Sequence, residues 1–338
     1  MTEAIIPRAF IWKRLHSLMG LWLVLFLFEH LLTNSQAALW LGEDGSGFVR
    51  MVNSIHNFPY LQVIELTLLG IPILLHMVLG VKYALTAKSN AKKTDGSAPS
   101  LKKYGRNRAY SWQRITSWIL LFGLIGHVVT FRFLDYPHTI FQGKDTIYFA
   151  KLDMDDGLYP LAYRLDVNLY DESSIAKEIV SFDRRSDEKT LLDAAGTLKN
   201  EKLDWIKGVM PTSFEHQKEI IFQSAEKYKL KASWLEGLKK IQIGSNQVIA
   251  ESSDFGTITL LTVRDTFKRP IYLLLYTIFV LAACFHAFNG FWTFLLSWGI
   301  IIRRSAQKSL LAFSIGLMVL ISFLGMAAIW GTWFNLRN

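Results

Sequence analysis

Cysteine is nearly missing from this chain of 338 residues, with Cys284 standing alone. One thiol excludes an intrachain disulfide framework and a cysteine-ligated iron–sulfur cluster, and no Cys-x-x-Cys-His is present for covalent haem attachment. A flavin-binding glycine motif following a strand is missing as well. Charge is scarce overall, at 19% Asp, Glu, Lys and Arg against 51% hydrophobic and 14% aromatic residues. The mean hydropathy is positive. That balance is too oily for a soluble protein of this length and points to a membrane protein.

The apolar residues are gathered into five nearly uncharged runs, at 15–40, 61–85, 112–133, 270–299 and 310–334. Each reaches the ~20 residues that a helix needs to cross a hydrocarbon core of about 30 Å. The first run lacks a small-residue cleavage site after a short apolar core, so it is expected to be a retained span. Acids are rare where bases are dense. Between the second and third runs lie Lys82, Lys88, Lys92, Lys93, Lys102, Lys103, Arg106, Arg108 and Arg114 against Asp95. Arg303, Arg304 and Lys308 fill the turn between the fourth and fifth runs, and Arg8, Lys13 and Arg14 stand against Glu3 at the N-terminus. The positive-inside rule places all three segments in the cytoplasm, which puts the N-terminus inside and the C-terminus outside. Because these bases flank spans, nucleic acid is not the expected partner; the bilayer is.

Residues 136–267 differ in kind. They hold 17 Lys and Arg against 21 Asp and Glu, net −4, while the rest of the chain holds 20 against 7. This is the composition of a soluble domain, and the topology puts it outside. Apolar spacing predicts helices over 189–200 and 216–240, and alternation or β-branching predicts strands over 140–152, 162–169 and 256–263. The expected architecture is therefore an all-α membrane protein of five transmembrane helices with an extracytoplasmic α+β insert, divided as 1–135, 136–267 and 268–338. His138 and His216, the insert's two histidines, read as surface residues.

Four histidines fall in four different spans. His30 lies four residues before Asn34 and His127 five before Arg132, roughly 6–8 Å below the outer boundary at 1.5 Å per residue. His76 lies 17 residues after Pro59 and His286 17 after Arg269, about 25 Å down. One pair thus sits near the outside and another near the inside. Two neutral imidazoles from different helices are what a low-spin b-type haem needs. A histidine proton or ion pathway would also use intramembrane imidazoles. Gly80 and Gly290, each four residues after a histidine, and Gly123, four before one, would clear room on the same helix face for a porphyrin edge.

KRLHSLMG (13–20), EHLLTN (29–34), IPILLHMVLGVKYALTAKSNA (71–91), WQRITSWILLFGLIGHV (112–128) and FHAFNGFWTFLLSWGI (285–300) resemble the five-helix, di-haem cytochrome b subunit of succinate:menaquinone oxidoreductases and fumarate reductases. The resemblance covers all five spans, about 200 residues. It implies two haems b, with His30 and His127 as axial ligands of the distal iron and His76 and His286 of the proximal iron. It also implies a bacterial cytoplasmic membrane and docking of a flavoprotein and an iron–sulfur subunit on the cytoplasmic face. Electrons would pass through both haems to a quinone, with menaquinone favoured, and this chain would carry no succinate site itself. The insert departs from the family's short connection.

Around that frame, His16 and Ser17 on the first span and Gln113 and Arg114 on the third are candidate contacts for a haem propionate. Glu65, six residues after Pro59 and roughly 9 Å below the outer boundary, is a candidate in quinone protonation and should have a polar partner or an altered pKa. Glu29 is a weaker candidate, because it points about 100° away from its neighbour His30. Cys284 stands where one related group has a glutamate associated with proton compensation, so that pathway is not expected. Pro72 is expected to kink the second span. The rival readings are a di-haem anchor of a hydrogenase or formate dehydrogenase, and a haem-free His/Glu proton-relay transporter.

Overall fold

The computed structural model describes residues 7–39, 43–86, 101, 103–143, 145–183, 193 and 212–336. Most of the basic stretch between the second and third spans, and the helix expected over 189–200 apart from Asp193, lie outside these residues. The described chain forms two compact units, 1–136 with 263–338 and 137–262.

The first unit is helical. Five helices are long and apolar enough to cross a membrane: α1 (Arg8–Ser35), α3 (Leu61–Thr86), α4 (Gly105–Leu134), α9 (Pro270–Ser297) and α10 (Arg304–Asn335). Their faces away from the bundle carry Leu25, Leu66, Leu74, Phe122, Leu274, Phe313, Val319 and Phe323, all exposed. Such a surface suits a lipid solvent, in which every backbone group must be satisfied within the helix. Between helices, Leu31, Val280, Cys284, Ile321, Leu324 and Ile329 are buried. A Cβ on Gly325 would meet Val280 and Leu31, so α10 approaches α1 and α9 closely at that point. A short helix, α2 (Ser46–His56), follows α1 and buries Phe48.

Three of the long helices widen from α to π geometry: α3 at Glu65–Gly70, α4 at Val129–Leu134 and α10 at Ala327–Gly331. The π turn of α3 ends two residues before Pro72. A wider turn frees a main-chain carbonyl, and in α3 the Leu68 oxygen accepts the Trp22 indole N–H from α1. Such turns often mark functional sites.

The second unit holds an antiparallel sheet of order β1-β2-β4-β3: β1 (His138–Gln142), β2 (Asp145–Asp153), β3 (Asn168–Tyr170) and β4 (Gln247–Ser252). Around it run α5 (Leu158–Arg164), α6 (Glu172–Asp183), α7 (Thr212–Lys240) and the start of α8 (Phe255–Phe267). One sheet face presents Phe149 and Ile249 to Trp234, Leu235 and Leu238 of α7, with Ile175, Ile179 and Phe182 of α6 packed against them. On the alternate positions Ala150, Leu152, Val248 and Ala250 are also buried, so both faces are covered. His138 and His216 are exposed.

Three strand expectations are corrected. Residues 256–263 lie in α8, a helix. Asp254 caps it by accepting the Thr257 N–H at 2.8 Å, and Thr259 and Thr262 donate back to the carbonyls of Phe255 and Ile258. With Ile258, Leu260 and Leu261 wholly buried, packing and the cap outweigh the β propensity of GTITLLTV. Residues 162–169 are likewise split. The helix α5 buries Leu158, Leu161 and Ala162 at helical spacing, and only Asn168 and Leu169 belong to a strand. The stretch 140–152 is a hairpin rather than one strand, turned at Gly143 with φ +65°.

Candidate functional site

The long helices bring the four intramembrane histidines together as two pairs. The rings of His76 (α3) and His286 (α9) have centroids 6.3 Å apart with planes at 84°. Those of His30 (α1) and His127 (α4) are 5.8 Å apart at 85°. A metal bonded to one nitrogen of each ring at about 2.0–2.1 Å, with about 1 Å from nitrogen to ring centre, would hold two centroids about 6–6.5 Å apart. The inner pair has that spacing and the outer pair is slightly closer.

Hydrogen bonds on the second ring nitrogen decide what the first can do. His76 Nδ1 lies 3.0 Å from the His16 carbonyl oxygen. A carbonyl only accepts, so Nδ1 carries the proton and Nε2 is left with its lone pair. His286 Nδ1 lies 3.3 Å from Thr116 Oγ1. The single Thr116 proton is directed at the carbonyls of Trp112, 2.9 Å away, and Gln113. With its proton on a carbonyl the hydroxyl can accept from His286 Nδ1–H, the tautomer that leaves Nε2 free to ligate. His127 Nδ1 lies 3.2 Å from the Tyr276 hydroxyl of α9. The fourth ring, His30, stacks on Phe26 and has no ring hydrogen bond among the described residues.

A fifth imidazole joins the inner pair. His16 stacks on His76 at 4.0 Å with planes 9° apart. Among the described residues, His16 Nδ1 and Arg114 Nε are buried without a hydrogen-bond partner, as is Trp292 Nε1. Unsatisfied buried polar atoms are costly unless a further group meets them, and two of these three belong to the residues expected to face a propionate. The other two propionate candidates are already engaged. Gln113 donates to the His286 carbonyl at 3.0 Å and accepts from Asn289 at 2.8 Å, while Ser17 Oγ accepts from the Trp298 indole at 3.4 Å. Gln113 and Asn289 also border a cavity of about 520 Å³ between α4 and α9, lined further by Arg106, Tyr110 and Trp292. The donor set therefore fits a haem: imidazoles paired at a spacing that suits a metal between them, and an arginine and an imidazole with unmet polar atoms beside His76 and His286.

The glycine expectations need revision. A Cβ on Gly80 would meet His16 rather than open space beside His76, and those on Gly123 and Gly290 would meet Phe279 and Gln113. Gly20 on α1 is the residue that admits His76, whose Cε1 would lie 2.8 Å from a Cβ there. Gly20→Ala is accordingly expected to destabilise the bundle by about 1–3 kcal/mol, because the rigid imidazole must move. Thermal unfolding of the purified protein checks this, with Gly316→Ala, whose Cβ would meet nothing within 4 Å, as the control.

In the π turn of α3 Glu65 meets a partner from the π turn of α4: Arg132 Nη2 donates to its Oε2 at 2.7 Å. Arg132 also lies over the Tyr136 ring at 4.8 Å. Burial lowers the pKa of nearby His56, the Glu65 carboxylate opposes that shift and the Arg132 guanidinium adds to it. Glu29 accepts from Thr33 one turn along its own helix, at 2.8 Å, and is exposed. Arg132, Tyr276, Thr116 and Gly20 were not singled out from sequence. Arg132 carries charge opposite to Glu65 near the same end of the bundle, but their pairing, like the other contacts, depends on how helices rotate against one another.

No family model matches this chain, and no solved structure matches it. Among curated proteins it is similar to the succinate dehydrogenase cytochrome b558 subunit of Bacillus subtilis (strain 168), 33% identical over 122 residues. The aligned part is 36% of this chain and 54% of the relative, so the chain spans about half the length of the curated relative it matches.

Proposed function

We propose that this chain is the membrane-anchor cytochrome b subunit of a succinate dehydrogenase, binding two haems b and passing electrons from an iron–sulfur subunit to a quinone. The observation that carries this reading is the proton inventory of the inner pair. His76 and His286 face each other across 6.3 Å, each with its Nδ1 proton directed at an acceptor on a neighbouring helix. Hydrogen bonding of the second nitrogen is how ligating histidines are normally held. A proton relay is disfavoured by the same fact, since a carbonyl opposite His76 Nδ1 can neither supply nor pass on a proton. Similarity to a subunit named as a cytochrome b supports the family.

In this reading His76 and His286 hold the proximal haem, and His30 and His127 the distal one. The bound groups supply one-electron transfer. His16 and Arg114 offer their unmet donors to a propionate, with Ser17 and Gln113 beside them. The N-terminus and the basic inter-span segments face the cytoplasm, where the flavoprotein and iron–sulfur subunits dock, and the insert and C-terminus lie outside a bacterial cytoplasmic membrane. Glu65, held by Arg132 at the outer end of α3, exchanges protons with the quinone, for which menaquinone is the favoured species. Glu65→Gln is expected to lower quinone-linked turnover by on the order of 10²-fold while both haems remain, because only the proton-exchanging group is lost.

The test is purification of the chain from its own membranes. Succinate should reduce a b-type absorbance in the preparation, and a flavoprotein and an iron–sulfur protein should accompany it. Reduction by hydrogen or formate but not by succinate would move the chain to the rival anchors, and a preparation without b-type absorbance would refute the reading.

A further inference from the structure

The hydrogen bonds behind the histidines are unequal, and the inequality has a consequence for the two haems. In the inner pair both rings have an oxygen at Nδ1: the His16 carbonyl at 3.0 Å and Thr116 Oγ1 at 3.3 Å. In the outer pair, among the described residues, one ring has such a partner, the Tyr276 hydroxyl on His127 at 3.2 Å. We propose that Tyr276 and Thr116 are positioning residues that each set the reduction potential of one haem, Tyr276 that of the outer haem and Thr116 that of the inner one. This rests on the two-haem reading.

The physical basis is the push of the imidazole on iron. An acceptor opposite Nδ1–H raises the electron density at Nε2, makes the ring a more basic ligand and favours the ferric state. Removing the acceptor weakens that push, so the potential rises. Iron on His127 Nε2 leaves the proton on Nδ1, and the Tyr276 oxygen then accepts it. Tyr276 is fixed for this role by its surroundings. Its ring meets Phe131, Phe267 and Phe279 at centroid distances of 6.3, 5.2 and 6.0 Å, as well as His127 itself. Thr116 is 5% exposed and its proton is committed to its own helix, so its oxygen has one free role, towards His286.

The two residues are not equivalent. Losing Thr116 leaves the inner pair with the His16 carbonyl, whereas losing the Tyr276 hydroxyl leaves the outer pair with no partner among the described residues. The larger effect is therefore expected at Tyr276.

Potentiometric titration of the purified holoprotein tests this. Tyr276→Phe keeps the ring and Thr116→Val keeps the volume, and each should leave two haems per chain. Tyr276→Phe is expected to raise only the haem that disappears in His127→Ala, by up to about tenfold in the ferrous-to-ferric ratio at fixed potential, or about 59 mV for one electron. Thr116→Val should raise only the haem that disappears in His286→Ala, by less. Thr116→Ser, which keeps the oxygen, should restore the original value. Two retained haems with unmoved potentials, or both potentials moving together, would overturn the inference and leave the two-haem reading standing. A wild-type chain without two haems would overturn both.

Discussion

His76→Ala is expected to abolish one of two b-type haem signals, and His286→Ala is expected to abolish the same one. The two rings come from α3 and α9, and their Nδ1 atoms are both occupied, so each has one nitrogen left to give. An iron between them depends on both. Removing a residue that only supports a ligand costs about 10–100-fold in metal affinity, and removing the ligand itself costs more. His16 is not expected to rescue the loss, since its ring is stacked face-on against His76. His30→Ala and His127→Ala should abolish the other signal. Difference spectra recorded during redox titration would show which component is lost. Loss of different components from His76→Ala and His286→Ala would break the pairing.

The second large effect lies in the insert. Phe149→Ala is expected to destabilise the 137–262 unit by about 3–5 kcal/mol, the range for deleting a buried aromatic side chain. Phe149 is 0% exposed and sits in one cluster with Trp234, Leu235, Leu238 and Ile249. The surroundings can collapse only partly into the space left. Against a typical domain stability of about 5–15 kcal/mol, the loss should make the unit open readily. Tyr163, 88% exposed on α5, is the control: Tyr163→Ala should change stability by no more than about 0.5 kcal/mol. Hydrogen exchange of the full chain would check both, and equal protection in β2 of the two variants would contradict the core assignment.

The depth of a residue in a membrane helix is legible in a sequence because rise per residue converts position into distance. That conversion sets His30 at the depth of His127 and His76 at the depth of His286. Rotation about the helix axis is not legible in the same way. Gly80, at the right interval from His76 along α3, has His16 as its neighbour, while Gly20 on α1 is the glycine against which the His76 ring packs. Thr116 and Tyr276 stayed hidden for the same reason, as a threonine and a tyrosine in a span carry no signal until a neighbouring helix presents an imidazole to them. In the insert the difficulty was local. GTITLLTV carries β-branched residues at strand-like intervals, and only the Asp254 cap and burial on nearly every side make it helical. Three-residue β3 is too short to leave a periodic pattern, and α2 was concealed in an apparent loop between two spans.

One quantity bears directly on the central proposal, which is that iron sits between each pair of imidazoles. Pyridine haemochrome analysis of the purified full chain, set against its protein concentration, is expected to give two haems b per chain. It should give one per chain in His76→Ala and one in His127→Ala. A wild-type value of one or none would contradict the account.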